Sequence, residues 1–187
     1  MKKRVFIIHG WEGNSKNHWF PWLKKELEKA DFEVIVPDMP NTDEPKIEEW
    51  VPFLADLVGE PDENTYFVGH SIGCQAISRY LEILENKKVG GAIFAAGWFH
   101  LINLEGPEEE KIVESWIKTK IDLRKVKDAA NIFIAIFSDN DEWVPLSDKD
   151  IFEKELGAEI IVEHNKNHFD GIKELPIVLE SILRMSK

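Results

Sequence analysis

The sequence predicts an α/β chain: a compact, doubly wound, mostly parallel sheet of about six strands with helices on both faces. Three observations predict it. Short apolar runs alternate along the chain with longer segments whose apolar residues fall at helical spacing, the pattern of repeated strand–helix units. Residues able to do chemistry gather just past the ends of those runs, where parallel sheets hold their sites. The 187 residues, 43% hydrophobic and 31% charged, are enough for a sizeable core, and no repeat or linker divides them, so one domain spanning 1–187 is expected.

The first strand is expected at Arg4–Ile8. Met1-Lys2-Lys3-Arg4 is basic and Val5–Ile8 apolar, but the run is too short for a secretion signal and His9-Gly10 ends it without a cleavage site. A helix over Asn17–Ala30 follows from Trp19, Trp22, Leu23 and Leu27 at helical spacing, with lysines and glutamates between. Strand Glu33–Val36, helix Ile47–Val58, strand Thr65–Val68 and helix Ser71–Leu84 continue the alternation. Next come a strand at Gly91–Ala95 and one at Ile132–Phe137, an unbroken apolar run long enough for a buried strand. Between them Pro107–Ile121 is amphipathic, with Ile112, Val113, Trp116 and Ile117 on one side; it is either a reduced cap over the sheet end or an ordinary crossover helix. Helix Asp148–Leu156, strand Glu159–Val162 and helix Lys173–Met185 complete the chain. No apolar run approaches membrane-spanning length, and a cytoplasmic protein is expected.

Tyr66-Phe67-Val68-Gly69-His70-Ser71-Ile72-Gly73-Cys74 places Gly69-x-Ser71-x-Gly73 between a buried strand and a helix. In such a nucleophile elbow the serine sits on a sharp turn, small residues flank it, and the helix N-terminus faces the developing oxyanion. A plain turn with a serine cap would carry the same letters.

A serine nucleophile needs a histidine base and an acid that orients it, in the chain order serine, acid, histidine. Ser138-Asp139-Asn140-Asp141-Glu142-Trp143-Val144-Pro145 follows the fifth strand and Asn167-His168-Phe169 the sixth. Ser71, Asp141 and His168 then each lie past a different strand. Asp139 competes for the acid role, with Glu142 behind it; Asp141 is favoured because it stands shortly before the Val-Pro. His168 is favoured over His164, which comes four residues too early to reach over the sheet. His9 reads as structural, and His70 is expected to point away from the site. Cys74 reads as core packing, and a single cysteine forbids an internal disulfide.

The net charge of −12 and a pI near 5.0 argue against nucleic acid and anionic membranes as partners. No metal cluster, phosphate loop or dinucleotide fingerprint is present, so no cofactor is implied. The expected partner is a small ester, with a monomer or small homo-oligomer as the form of the protein.

Three blocks carry a family resemblance: His9-Gly10-Trp11-Glu12-Gly13 with His18-Trp19-Phe20-Pro21-Trp22-Leu23; Pro37-Asp38-Met39-Pro40 with Trp50-Val51-Pro52-Phe53-Leu54; and the elbow. With Asp141 and Asn167-His168-Phe169 they resemble the small serine hydrolases of the retinoblastoma-binding protein 9 and YdeN type, compact α/β-hydrolases without a separate lid domain. The resemblance implies a triad of Ser71, Asp141 and His168. It does not carry a retinoblastoma interaction, since the chain lacks a Leu-x-Cys-x-Glu segment. The chemistry then asks for two oxyanion donors, expected to be the backbone N–H groups of Ile72 and Trp11. Trp98, Trp143 and Phe169, with Trp11, are expected either to line a substrate pocket or to pack against neighbouring helices. The activity expected is that of a carboxylesterase for short-acyl esters. Amide or other acyl hydrolysis uses the same groups, and a non-catalytic interaction module would keep the same fold.

Overall fold

The computed structural model describes residues 2–187. Six strands, β1 (Arg4–Ile8), β2 (Glu33–Ile35), β3 (Thr65–His70), β4 (Val89–Ala95), β5 (Ala130–Ser138) and β6 (Glu159–Glu163), form one sheet in the order β2-β1-β3-β4-β5-β6. Every pairing is parallel. Each residue of β3 and β4 is buried, which is why these runs read as continuously apolar rather than alternating. The chain steps from β1 outward to β2, returns across β1 to β3, and then proceeds the opposite way. The loops leaving β1 and β3 therefore diverge, and a crevice opens at the carboxyl ends of those strands.

Around the sheet lie α1 (Phe20–Lys29), α2 (Ile47–Val58), α3 (Ile72–Glu82), α4 (Pro107–Lys118), α5 (Leu123–Asp128) and the C-terminal helix Pro176–Met185. α1 meets the C-terminal helix, while α2, α3 and α5 pack as a second group. α3 is the central helix, buried from Ile72 through Leu81. Cys74 lies within it, 2% exposed, its thiol against the Ala95 carbonyl.

Four elements depart from the sequence expectation, among them the C-terminal helix, which starts at Pro176 rather than Lys173. α1 starts at Phe20 rather than Asn17 because Asn14 to Asn17 close a turn of their own: Asn17 Oδ1 accepts the Asn14 N–H and Asn14 Oδ1 accepts the Lys16 N–H. The helix expected at Asp148–Leu156 is a succession of a 3₁₀ turn (Leu146–Asp148), one α turn (Lys149–Ile151) and a π turn (Phe152–Leu156). α5 was not anticipated; Asp122 caps it, its carboxylate accepting the N–H groups of Arg124 and Lys125.

The amphipathic stretch at Pro107–Ile121 is a crossover helix, α4, with Val113 and Trp116 buried. Buried Arg79 of α3 donates to the carbonyls of Trp116 (2.6 Å) and Thr119 (2.9 Å), and the Trp116 indole donates to Pro45 O at 2.8 Å. The C-terminal end of α4 is thereby fastened, and its N-terminal end reaches the rim of the crevice.

Candidate active site

The loop after β3 turns sharply at the crevice. Ser71 has φ +53° and ψ −123°, a region non-glycine residues rarely occupy and one that costs roughly 1–3 kcal/mol. Both flanking glycines are there for space. A Cβ on Gly69 would sit 2.8 Å from Cys74 N, and one on Gly73 only 2.4 Å from Ile8 O. The first turn of α3 lies directly on the backbone of β1, and no side chain fits between. The Ser71 N–H is held by Ala95 O at 3.0 Å, so the turn is anchored to β4.

Asp141 and His168 meet from the loops after β5 and β6. His168 Nδ1 donates to Asp141 Oδ2 at 2.8 Å, with the side chains 7% and 3% exposed. The other carboxylate oxygen accepts the N–H groups of Trp143 (2.9 Å) and Val144 (3.0 Å). Bonding at Nδ1 leaves His168 Nε2 as the nitrogen available to the crevice. Asp139 is engaged elsewhere: it pairs with exposed His164 at 2.6 Å and accepts the Asn165 N–H. That pair draws the Asp139 pKa down and the His164 pKa up, mainly through their mutual hydrogen bond. The two loops are laced together by Asn140 and Asn167. Asn167 N–H donates to Asn140 Oδ1, and Asn140 Nδ2 donates back to Asn167 Oδ1.

Ser71 and His168 line one cleft of about 310 Å³, with Gly10, Trp11, Leu101, Leu104 and Trp143 also in its walls. The Trp143 ring meets the His168 ring edge-on, centroids 5.1 Å apart. In the turn after β1, the Glu12 N–H is taken by Thr42 O and the Gly13 N–H by Gly10 O. No acceptor among the described residues meets the N–H of Trp11. Ile72 opens α3, where the first N–H groups have no partner within the helix.

Two aromatic residues expected at the pocket lie elsewhere. Trp98 is 1% exposed and Phe169 is fully enclosed, so both belong to the core and neither lines the cleft. The loop carrying Trp98 is drawn down by buried Asp148, whose carboxylate accepts the N–H groups of Phe99 and His100 and pairs with the His100 ring.

His70 also departs from expectation, since it faces the cleft rather than away from it. Its Nε2–H donates to the His168 carbonyl at 2.7 Å, and the two rings stand 5.1 Å apart. Burial, reinforced by neighbouring His168, holds its pKa well below the ordinary histidine value. His18 is the second support. Its Nδ1 accepts the Gly171 N–H at 2.9 Å, and its Nε2 stands 3.3 Å from Asp170 Oδ1. His18 and His70 thus grip residues 168 to 171, the loop that presents His168. The sequence block containing His18-Trp19 signalled importance but not this contact, which spans most of the chain.

His18, His70 and Asp170 bring possible ligand atoms within 4.8 Å of one another. Their protons are already committed. His18 Nδ1 accepts a backbone N–H, so its proton sits on Nε2; His70 Nε2 carries the proton given to the His168 carbonyl. Neither imidazole turns a free lone pair toward Asp170, and the triangle is wired as hydrogen bonds rather than as a metal cage. His9, likewise, is structural: fully buried, it accepts the Met39 N–H on Nε2 and bonds Gly10 O through Nδ1.

This sheet order, with a strained serine rising at its switch point, places the fold among the α/β-hydrolases. The chain belongs to the serine hydrolase family, whose profile matches residues 5–181. It is similar to YdeN of Bacillus subtilis (strain 168), 34% identical over 184 residues covering 96% of this chain and 94% of that one. The crystal structure of the B. subtilis ydeN gene product superposes with a TM-score of 0.89 at 32% identity, covering 98% of each chain. Serine hydrolase RBBP9 of Rattus norvegicus is 25% identical over 185 residues, 97% of this chain and 95% of that protein. Est1E from Butyrivibrio proteoclasticus, solved with ferulic acid bound, shares the fold at TM-score 0.73 and 15% identity, covering 97% and 86%. No helix among the described residues is long and apolar enough to cross a membrane.

Proposed function

We propose that this serine hydrolase is a carboxylesterase for small, short-acyl esters, with Ser71 as nucleophile, His168 as general base and Asp141 as the acid that orients it. The observation that carries the reading is the Asp141–His168 hydrogen bond, which turns His168 Nε2 to the same cleft as strained Ser71. In the reaction His168 Nε2 takes the Ser71 proton as the oxygen attacks the ester carbonyl. Asp141 fixes the imidazole tautomer and stabilises the cation that forms. The N–H groups of Ile72 and Trp11 receive the oxyanion. His168 then returns the proton to the departing alcohol, and water, deprotonated by the same nitrogen, releases the acid.

The size of the cleft supports short substrates. Its walls of Trp11, Trp143, Leu101 and Leu104 enclose a short acyl chain and leave a long one in water, where each methylene forgoes roughly 0.8 kcal/mol of transfer energy. α4 is fastened at its far end by Arg79 and forms part of the crossover between β4 and β5, which favours a reading without a swinging lid. Activity at an oil interface should therefore show no jump.

The test is fluorophosphonate labelling followed by catalytic efficiency on p-nitrophenyl esters from acetate to palmitate. Labelling that disappears in Ser71→Ala and an optimum near acetate or butyrate are expected. An absence of labelling in folded protein would leave a scaffold without catalysis. A palmitate optimum or interfacial activation would overturn the short-acyl reading.

A further inference from the structure

The ester reading leaves the charge of the substrate open, and the walls of the cleft bear on it. Glu12, Glu105, Glu109 and Asp170 line the cleft alongside Ser71 and His168. No lysine or arginine lines it, although the chain carries 23 of them. Among the described residues, no lysine or arginine forms an ion pair with any of the four. The groups close to Asp170 are His18 and His70, and burial biases both imidazoles toward the neutral form. The four carboxylates therefore share the cleft with the reacting groups, and the cation that acts on His18, Lys173, does not line that cleft. Trp11 and Trp143 stand in the same walls, and indole rings attract cations through their quadrupole.

Carboxylates alone would only describe a solvated acidic surface. Here they line the same cleft as the proposed nucleophile and base, so whatever ester reaches Ser71 passes through their field. Low-dielectric walls focus that field, and the net charge of −12 extends it outward. An anionic ester is repelled on approach and again in place. A cationic one is drawn in and finds aromatic faces to rest on.

We propose that the preferred substrates are esters bearing a positively charged ammonium group close to the ester bond. The proposal rests on the ester-hydrolase reading above and concerns the same cleft. Glu105 and Glu109, at the N-terminal end of α4, act with Glu12 as the charge-selecting rim. The Glu109 carboxylate is held in place by the Glu105 N–H. Asp170 adds to the same field while serving the loop of His168.

The experiment compares three acetates of similar size: acetylcholine, its uncharged isostere 3,3-dimethylbutyl acetate, and 3-sulfopropyl acetate. Each kcat/KM is divided by the rate of alkaline hydrolysis of the same ester, which removes intrinsic reactivity. At low ionic strength the cation should exceed the neutral isostere by about tenfold or more, and the anion should fall below it by a similar factor. In 0.5 M salt the cation-to-neutral ratio should shrink to within about threefold, because the screening length drops to a few ångströms. In Glu12→Gln/Glu105→Gln/Glu109→Gln the ratio at low salt should move toward one. Because the ratio compares two substrates on the same protein, partial loss of folded enzyme cancels, and the salt series on the unaltered protein needs no variant. A ratio near one at low salt, a ratio insensitive to salt, or one unchanged in the triple variant would each overturn the proposal. If the neutral ester is still cleaved and the fluorophosphonate still labels, the ester reading survives that failure. If no ester is cleaved and nothing is labelled, the ester reading falls and this inference falls with it.

Discussion

Asp139 and Asp141 stand two residues apart, and each holds a different histidine. Their separation makes the sharpest test of the proposed site. Asp141→Asn should lower kcat on p-nitrophenyl acetate by about four orders of magnitude, because an amide cannot hold His168 in the needed tautomer. Asp139→Asn should leave kcat within a few-fold. The same substitution should return the His164 pKa toward its unfolded value, followed by proton NMR across pH. The sign is fixed by the direction of the shift. A histidine pKa raised by a partner contributes stability below the unfolded value of about 6.5 and loses it as pH rises through the folded value. The meeting of Asp141 and His168 over the cleft that Ser71 lines was legible in sequence because each of the three residues follows a recognisable strand. His18, His70 and Asp170 were not, because their roles depend on contacts such as His18 with Gly171, at opposite ends of the chain. For Trp98 and Phe169 the choice between pocket wall and core packing was not legible, because position beside a site does not say which way a side chain turns.

At the level of elements, the strands were legible nearly to the residue because unbroken apolar runs have few other uses in a parallel sheet. Boundaries failed where local polar contacts compete with the helix, as at Asn14–Asn17, or where the helix changes its winding, as after Leu146. The most constrained junction is between α3 and β1. Gly73→Ala would put a methyl carbon 2.4 Å from Ile8 O, a backbone atom that cannot yield without moving the sheet. That variant should be destabilised by about 3 kcal/mol or more, read as a shifted urea midpoint or as failure to accumulate folded protein. Arg79 presents a second junction. Arg79→Met should cost about 2 kcal/mol through the loss of its charged hydrogen bonds to Trp116 O and Thr119 O. Hydrogen exchange should then quicken in Pro107–Lys118 well before it quickens in β3 or β4.

For the molecule as a whole, His9, His18 and His70 all have pKa values lowered chiefly by burial. The unfolded chain therefore takes up protons first as pH falls below about 6.5, and stability drops on acidification toward the depressed folded values. Each histidine fully withheld from protonation contributes up to about 1.4 kcal/mol per pH unit to that slope. Urea midpoints should change little between pH 7.5 and about pH 6.5 and fall from there to pH 5, and a flat profile would contradict the burial of these rings. A different use follows from the single thiol. Cys74 lies behind the elbow, walled by β4 and α3, and burial raises its pKa well above the ordinary thiol value. A chromogenic disulfide reagent added to native protein has one thiol to find and no route to it while the sheet is closed. The colour it releases would keep time for the opening of the fold, a clock already set at its centre.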